Sequence, residues 1–277
     1  MLSATVFSAL IIFALFGFLV YFASPLFFEG QLNELFTSHW RPLQGDFGIL
    51  PMIVGTVALS TSALLIAYPL GIGICLFIHG LGPPMLARPM LVLVRFMTGI
   101  PTVVYGFVAI FLLVPLLRNT FTGGTGFSLL AASLVSSILI LPTIVLLIDS
   151  QLQQIVPRLR LTSTALGMTR SQELLWVSLP AASSGLSAAA ILGFGRAVGD
   201  TLIALMVAGN ATQMPGSIFD SIRTLTAHIA LVVSTDSQST TYHSLFAGGL
   251  ILFLTTAVIN LMLQRIRRRA NPEQTDA

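Results

Sequence analysis

Two charged side chains, Arg196 and Asp200, lie inside an apolar stretch long enough to cross a membrane. The stretch runs from Gly185 to Ala208. At a helical rise of ~1.5 Å per residue, Arg196 falls near the middle of a hydrocarbon core ~30 Å thick. A charge at that depth costs at least about 2.5–3.5 kcal/mol on insertion scales, so we expect both side chains to face protein or water. Their i, i+4 spacing predicts one helix face, where guanidinium and carboxylate can pair.

The sequence leaves two interpretations of this pair open. In the first, the pair is structural and helps helices associate, aided by the G-x-x-x-G spacing of Gly195 and Gly199, which lets a second helix approach closely. In the second, the pair belongs to an anion path. Arg196 then contacts the anion, while Asp200 holds the arginine side chain and limits its positive potential.

The composition indicates a polytopic membrane protein. The 277 residues are 55% hydrophobic and only 8% charged, with a mean hydropathy of +0.92, whereas soluble domains have roughly 25% charged residues. The chain has no lysine, which excludes a P-loop ATPase site and Schiff-base chemistry. Its single cysteine, Cys75, allows no internal disulfide. The four histidines show no ligand spacing, so we expect no metal site.

The distribution of apolar residues predicts an all-α fold in a single transmembrane domain, residues 1–277, with about six transmembrane helices. A break at Gly99-Ile100-Pro101 is expected in the third. Polar connections occupy residues 149–180 and 209–242. The predicted spans are residues 4–27, 49–78, 96–117, 127–148, 185–208 and 245–263.

The arginines predict the orientation of these spans. Six spans place nine arginines on one side and three, Arg41, Arg118 and Arg223, on the other. By the positive-inside rule the arginine-rich side is cytoplasmic. Both termini and the loop 149–180 are therefore expected inside, and the loop 209–242 outside.

The loop 149–180 has an internal pattern of its own. It is expected to form a short helix, a break at Gly167, and a second helix that ends before Pro180; Gly167 should need a positive φ or a close backbone approach. Gly167, nine further residues and Val177-Ser178-Leu179-Pro180 resemble the G-x9-I-x-L-P core of the EAA loop in permeases of bacterial ABC importers. The resemblance implies a coupling helix that fits a groove in an ATPase subunit. Its contacts would come from Thr162, Ser163, Gly167, Leu179 and Pro180.

Further motifs are similar to the PstC-type permeases of bacterial phosphate ABC importers, from about residue 48 to the end of the sixth span. Two positions depart from that family: Leu161-Thr162-Ser163 stands where Glu-Ala-Ala is usual, and Asp200 where a glutamate is usual. The matching motifs are GILPMIVGT (48–56), GIPTVVYG (99–106), ILPTI (140–144), ILGFGRAVGDT (191–201), MVAGN (206–210), RTLTAHIA (223–230) and YHSLFAGGLILF (242–253).

This resemblance implies a type I ABC importer permease in the bacterial inner membrane, carrying inorganic phosphate by alternating access. Arg196, Asp200, Thr201 and Asn210 would line the pathway. The implied partners are a second permease of the PstA type, ATP-binding subunits, an extracytoplasmic phosphate-binding protein and membrane lipid, with no nucleic acid. The chain itself would not be an enzyme and would bind no cofactor, because ATP-Mg would be used by the partner ATPase.

Other functions are compatible with parts of the sequence. A permease for molybdate, sulfate or a phosphonate is the alternative to a phosphate permease, since one arginine does not distinguish tetrahedral oxyanions. A non-transporting membrane assembly protein with a structural ion pair would leave the Gly167 loop unexplained. An intramembrane enzyme would need a paired acid, a nucleophile with a base or a metal site, none of which the sequence offers. A secondary transporter or channel would work without ATP.

Overall fold

A computed structural model describes residues 2–28, 36–41, 44, 46–121, 124–233 and 240–270. The described residues are mostly helical, as predicted, and the two short strands pair antiparallel. In chain order the elements are α1 (Leu2–Phe28), β1 (Trp40–Arg41), β2 (Asp46–Phe47), α2 (Leu50–Leu76), α3 (Pro84–Met97), α4 (Thr102–Phe111), α5 (Leu113–Thr120), α6 (Leu129–Ala165), α7 (Arg170–Gln172), α8 (Leu179–Ala181), α9 (Ser183–Gly199), α10 (Leu202–Val207), α11 (Leu225–Val233) and α12 (Thr240–Ala270).

Among the residues that the structure describes, five helical stretches are long and apolar enough to cross a membrane, and a bent pair would make a sixth. The bent pair joins Arg170–Ala181 to Ser183–Gly199 at an angle of 68°. This number agrees with the prediction of about six. The five single stretches are Thr5–Ser24, Leu50–Leu81, Thr102–Thr120, Leu129–Ala165 and Leu245–Arg265.

The predicted break at Gly99-Ile100-Pro101 is confirmed, and it moves the start of the third crossing from residue 96 to Thr102. The Thr98 hydroxyl donates to the Arg95 carbonyl at 2.7 Å, and the Tyr105 hydroxyl to the Met97 carbonyl at 3.0 Å. Pro101 comes directly before α4, where its missing N–H leaves no gap in the helix. These side-chain hydrogen bonds add to the backbone bonds that the same carbonyls accept from the Thr98 and Ile100 N–H groups, at 3.2 and 3.3 Å.

Helix α6 is longer than predicted: it continues without interruption for 37 residues to Ala165 instead of ending near residue 148. At ~1.5 Å per residue it is about 55 Å long, well beyond a ~30 Å hydrocarbon core. The first part of the loop 149–180 is therefore the end of this helix. A polar contact at its centre helps to explain the continuation, because Asp149 Oδ2 accepts from Gln153 Nε2 one turn later at 2.9 Å.

The second helix of that loop also runs further than predicted. Helix α7, a π-helical turn at Glu173–Ser178 and α8 follow one another directly, so the helical backbone does not end before Pro180. Pro180 lies in the first turn of α8, where a proline is tolerated. The chain bends just afterwards, at Ala182.

Contacts group the chain into two compact units, each built from three separate pieces of sequence. The first comprises Met1–Leu59, Ala109–Ala132 and Gly199–Val258; the second comprises Ser60–Val108, Ser133–Val198 and Ile259–Ala277. All five boundaries between these pieces fall within helices, in α2, α4, α6, α9 and α12.

In the first unit, aromatic side chains pack α1 against α12. Phe22 stacks on Phe246 with ring centroids 4.8 Å apart, and Phe16 lies 5.3 Å from Phe253. A second cluster joins α2 to α11 through buried Ile49, Met52 and Leu225. The strand pair β1–β2 places Trp40 beside this cluster.

In the second unit, Ile144 of α6 is in contact with glycines from two other helices. A Cβ on Gly71 of α2 would lie 2.7 Å from its Cγ2, and a Cβ on Gly193 of α9 would lie 2.9 Å from its Cγ1. Both glycines therefore permit close helix approach. Buried Ala67, Ala189 and Ile148 continue the same core.

We predict that Gly71→Leu destabilises the protein, whereas Gly73→Leu does not. Gly71 is buried against Ile144, but Gly73 on the same helix is exposed and a Cβ there would meet nothing within 4 Å. Overpacking at Gly71 should cost about 1–3 kcal/mol. Thermal unfolding of the detergent-purified variants measures the difference, and equal melting temperatures would contradict this packing.

Candidate functional site

The predicted fifth span is divided at Asp200, where α9 has ended and α10 has not begun. Asp200 Oδ2 accepts a hydrogen bond from the Ile203 N–H at 3.0 Å, so the carboxylate caps the start of α10. A capping carboxylate competes with helical backbone bonding, and Gly199 before it is a weak helix former. The prediction of a single helix over residues 185–208 is therefore wrong. Arg196 and Asp200 do not lie on one continuous helix face.

Arg196 lies in the last turn of α9, and its side chain is exposed. A cation there interacts favourably with the negative end of the helix dipole. The neighbouring Gly195 faces α12, since a Cβ at this position would lie 3.3 Å from Ile259 Cγ2. Gly199 has nothing within 4 Å of its own Cβ position. Only Gly195 thus behaves as the predicted close-approach glycine.

Thr201 and Asn210 flank α10. Thr201 begins α10 and its carbonyl accepts the Leu205 N–H at 2.9 Å. Asn210 follows the helix in a left-handed conformation with φ 60°, and its Nδ2 donates to the Leu205 carbonyl at 2.7 Å. The amide side chain therefore caps the end of α10, and its Oδ1 is buried without a hydrogen-bond partner.

The polar chain after α10, residues 209–226, returns to the helix break; we call it the return segment. Gly209 and Ile222 form an isolated parallel bridge, with the Asn210 N–H donating to the Ile222 carbonyl at 3.0 Å. The Thr226 hydroxyl donates to the Asp200 carbonyl at 3.1 Å. Asp200 and Asn210 are thus connected to the same segment. Residues 234–239 of the predicted outer loop lie outside the described residues.

The return segment is also fixed to α2. The Leu225 N–H donates to Thr56 Oγ1 at 2.8 Å, and that hydroxyl donates in turn to the Met52 carbonyl at 2.7 Å. A Cβ on Gly55 would lie 2.5 Å from the Arg223 carbonyl oxygen, so only glycine admits this approach. Two contacts with α2 thus hold the return segment in place.

Arg223 and His228 lie here but were not predicted as site residues. Arg223 is half-buried, and its Nε donates to the Asn210 carbonyl at 2.9 Å. Burial lowers the pKa of its guanidinium from the ordinary value. Burial, and then the charge of Arg223, lower the pKa of His228 to about 3, so this ring is neutral at physiological pH. Both residues belong to the motif RTLTAHIA. They are far from Arg196 in the sequence, so no sequence pattern placed them near the predicted site.

The predicted turn at Gly167 is confirmed: its φ is +73°. The Met168 N–H donates to the Ser163 carbonyl and the Gly167 N–H to the Thr164 carbonyl, each at 3.0 Å, which is the Schellman pattern of a helix end. Nothing lies within 4 Å of a Cβ at Gly167, so its backbone conformation alone demands glycine. A capping box between Thr169 and Gln172 then starts α7.

The other predicted coupling residues lie on both sides of this turn. Ser163 is buried at the end of α6 and Thr162 is exposed beside it, whereas Leu179 is half-buried and Pro180 exposed in α8. Apolar side chains are also exposed on the 161–181 segment. Leu161 is 82% exposed, Leu166 74% and Trp176 76%, which makes a surface suited to a protein partner.

A polar contact fixes the turn after α2 to α6. His79 Nε2 lies 2.8 Å from Asp149 Oδ1, and both side chains are largely buried. The next residue, Gly80, faces the 161–181 segment, since a Cβ on it would lie 2.9 Å from Leu174 Cδ1 and 3.7 Å from Arg170 Cδ. The end of α2 thus contacts both the long helix and α7 with the turn after it.

Among the residues that the structure describes, no group of three or more His, Cys, Asp or Glu side chains could hold a metal ion. The polar groups at the helix break are instead hydroxyls, an amide, a carboxylate and arginines. Of these groups, the arginines supply the donors that an oxyanion requires.

Residues 71–272 match the family model of the binding-protein-dependent transport system inner membrane component. The chain is 36% identical over 256 residues to the probable ABC transporter permease protein YqgH of Bacillus subtilis, an alignment covering 91% of this chain and 81% of that protein. It is 33% identical over 258 residues to the phosphate transport system permease protein PstC of Mesorhizobium japonicum, covering 85% and 79% respectively.

Solved structures show the same fold. A structure of the inward-facing MetNI methionine ABC transporter superposes with a TM-score of 0.62 at 17% identity, covering 82% of this chain and 99% of that one. A bacterial alginate ABC transporter in complex with its alginate pentasaccharide-bound periplasmic protein gives 0.59 at 16% identity, covering 95% and 94%. The match over residues 71–272 and the relatives at 33–36% identity show that the chain belongs to the family of binding-protein-dependent transport system inner membrane components.

Proposed function

We propose that this chain is the permease subunit of an ABC importer that carries inorganic phosphate across the bacterial inner membrane. The observation that carries the proposal is the broken fifth span, where Asp200 caps one helix and is hydrogen-bonded to the return segment. Such breaks at membrane depth suit an ion path better than a helix brace. The relatives named PstC support phosphate as the substrate.

In this proposal Arg196 is the anion contact, and Asp200, Thr201 and Asn210 shape the path around it. Arg196 lies at the end of a helix with its guanidinium exposed, which leaves a planar fork of donors for a tetrahedral oxyanion. The capping carboxylate of Asp200 keeps negative charge near the path and limits how tightly an anion is held. Transport then proceeds by alternating access, without covalent chemistry.

The energy for transport comes from partners. The 161–181 segment, with its exposed Leu166 and Trp176, is the proposed docking surface for an ATP-binding subunit, which uses ATP-Mg. The permease has no ATPase site of its own, and we propose that it binds no cofactor. A PstA-type second permease, an extracytoplasmic phosphate-binding protein and membrane lipid complete the assembly.

Both termini and the 161–181 segment are proposed to be cytoplasmic, and the return segment extracytoplasmic, as the arginine distribution predicts. A permease for molybdate, sulfate or a phosphonate is the alternative function. A permease for one of these anions would also need a deep arginine. Uptake assays in which these anions compete with radiolabelled phosphate distinguish this alternative from a phosphate permease.

We predict that the double variant Arg196→Met with Asp200→Leu assembles normally but imports no phosphate. Replacing both charges of a structural pair by apolar residues is often neutral for stability. An anion path, by contrast, loses its positive contact. Uptake of radiolabelled phosphate by cells, with recovery of the ATPase subunit on purification, measures both properties.

Two conservative variants are the controls for this experiment. Asp200→Glu should be tolerated, and Arg196→Lys should retain part of the uptake because it keeps the charge without the bidentate fork. Near-normal phosphate uptake by the double variant would contradict the proposal that Arg196 and Asp200 belong to an anion path. The two residues would then have only a structural role.

We predict that Gly167→Val weakens recovery of the ATPase subunit, whereas Gly167→Asn is nearly normal. A β-branched residue strongly disfavours φ near +73°, but asparagine tolerates the left-handed region. The space around Gly167 is open, so side-chain size plays no part. Co-purification of the ATPase subunit is the measurement, and equal recovery from both variants would contradict this docking role.

We predict that a cysteine at Gln213 reacts with an impermeant thiol reagent added outside intact cells, and that one at Ser171 reacts only after the membrane is opened. Both positions are exposed, and the buried Cys75 is first replaced by serine. The reverse labelling pattern would invert the proposed topology and remove the 161–181 segment from any cytoplasmic ATPase.

A further inference from the structure

Arg223 is a half-buried cation whose position in the return segment is set by neutral groups. In the described part of the chain, the one contact within 4.0 Å between a basic side chain and a carboxylate joins His79 to Asp149, so Arg223 has no carboxylate at that distance. Its Nε donates instead to the Asn210 carbonyl at 2.9 Å. A carbonyl fixes the guanidinium but does not neutralise its charge.

The groups around Arg223 hold it in a defined position. Asn210 supplies this carbonyl and is itself held by two hydrogen bonds. Its N–H donates to the Ile222 carbonyl, and its side-chain Nδ2 donates to the Leu205 carbonyl. On the other side the Arg223 carbonyl packs on Gly55. The guanidinium is therefore anchored through Nε and through its own backbone, which limits the entropy lost when it binds a ligand.

The guanidinium retains donors for such a ligand. Arginine carries five N–H groups, and the described hydrogen bonds use the one on Nε. The four N–H groups on Nη1 and Nη2 form the fork that binds oxyanions bidentately. A partly desolvated positive charge gains most from an ionic partner, and among the described residues no carboxylate lies within 4.0 Å of the Arg223 side chain.

We propose that Arg223 is a second anion-binding residue of the transport path, which contacts the tetrahedral oxyanion through its Nη groups. This inference rests on the proposed function and adds to it a contact that lies in the return segment instead of in the fifth span. The Thr226 hydroxyl donates to the Asp200 carbonyl and so connects the return segment to the helix break. An anion bound by Arg223 would therefore be held by a segment that is in direct contact with the break.

The test uses the complete importer reconstituted in proteoliposomes, with phosphate-loaded binding protein at saturating concentration. Arg223→Gln deletes the charge while its amide can still donate to the Asn210 carbonyl. We expect phosphate uptake to fall by at least about 10-fold, the loss of one charge-assisted hydrogen bond. Assembly with the ATPase subunit and thermal stability should be unchanged.

Arg118→Gln is the matched control, because Arg118 also donates through Nε to a backbone carbonyl, that of Thr125 at 2.9 Å, but its side chain is exposed. Its uptake should be normal. Normal uptake by an assembled Arg223→Gln importer would overturn the inference.

Arg223→Lys keeps the inference testable if the glutamine variant does not assemble. It keeps the charge without the fork, so we expect uptake between those of the glutamine variant and the unmodified protein; unmodified uptake by the lysine variant would overturn the inference. The double variant at Arg196 and Asp200 separates the two proposals. If that variant is inactive and Arg223→Gln transports normally, only the inference fails, whereas an active double variant rejects the path itself.

Discussion

A backbone N–H or C=O without a partner costs several kcal/mol in hydrocarbon, and this constraint governs the region around Asp200. The chain interrupts a membrane helix there and then satisfies the exposed groups with side chains from two places. The Asp200 carboxylate accepts the Ile203 N–H, and the Thr226 hydroxyl donates to the Asp200 carbonyl. Because Thr226 belongs to the return segment, the break is stable only when that segment is in place. The return segment in turn depends on Thr56 and Gly55 of α2.

Helix content, the approximate number of spans, the break before Thr102 and the positive φ of Gly167 were all predictable from the sequence. Each follows from local chemistry: apolar length, a proline, or a glycine between two helical patterns. The interruption at Asp200 was missed because the apolar runs on its two sides are together long enough to cross a membrane as one helix, although Gly-Asp-Thr is a sequence suited to a helix start. Arg223 was missed for another reason. The contact between Arg223 and Asn210 joins residues that are 13 positions apart in the sequence. This contact also depends on the left-handed backbone conformation of Asn210, which no sequence pattern predicted.

Two polar contacts show how the protein treats buried charge in different ways. At His79 and Asp149, a basic side chain meets a carboxylate inside a packed unit, and Gln153 occupies the second carboxylate oxygen. Both oxygens of the Asp149 carboxylate thus have a hydrogen-bond partner, which suits a fixed junction next to Gly80. The partner of Arg223 is the neutral Asn210 carbonyl. This carbonyl orients the guanidinium but does not neutralise its positive charge. The first arrangement stabilises a position, and the second keeps a positive potential available.

The contact of Gly71 and Gly193 with one isoleucine has a consequence for how the protein can move. Ile144 is β-branched and therefore has one strongly preferred χ1 rotamer in a helix, so its two arms point in fixed directions. One arm touches α2 and the other touches α9. Sliding either helix past α6 would drive its backbone into a methyl or methylene group that leaves its preferred χ1 rotamer only at a cost. Within this unit, the three helices are therefore expected to shift as one rigid body, with bending confined to the helix ends.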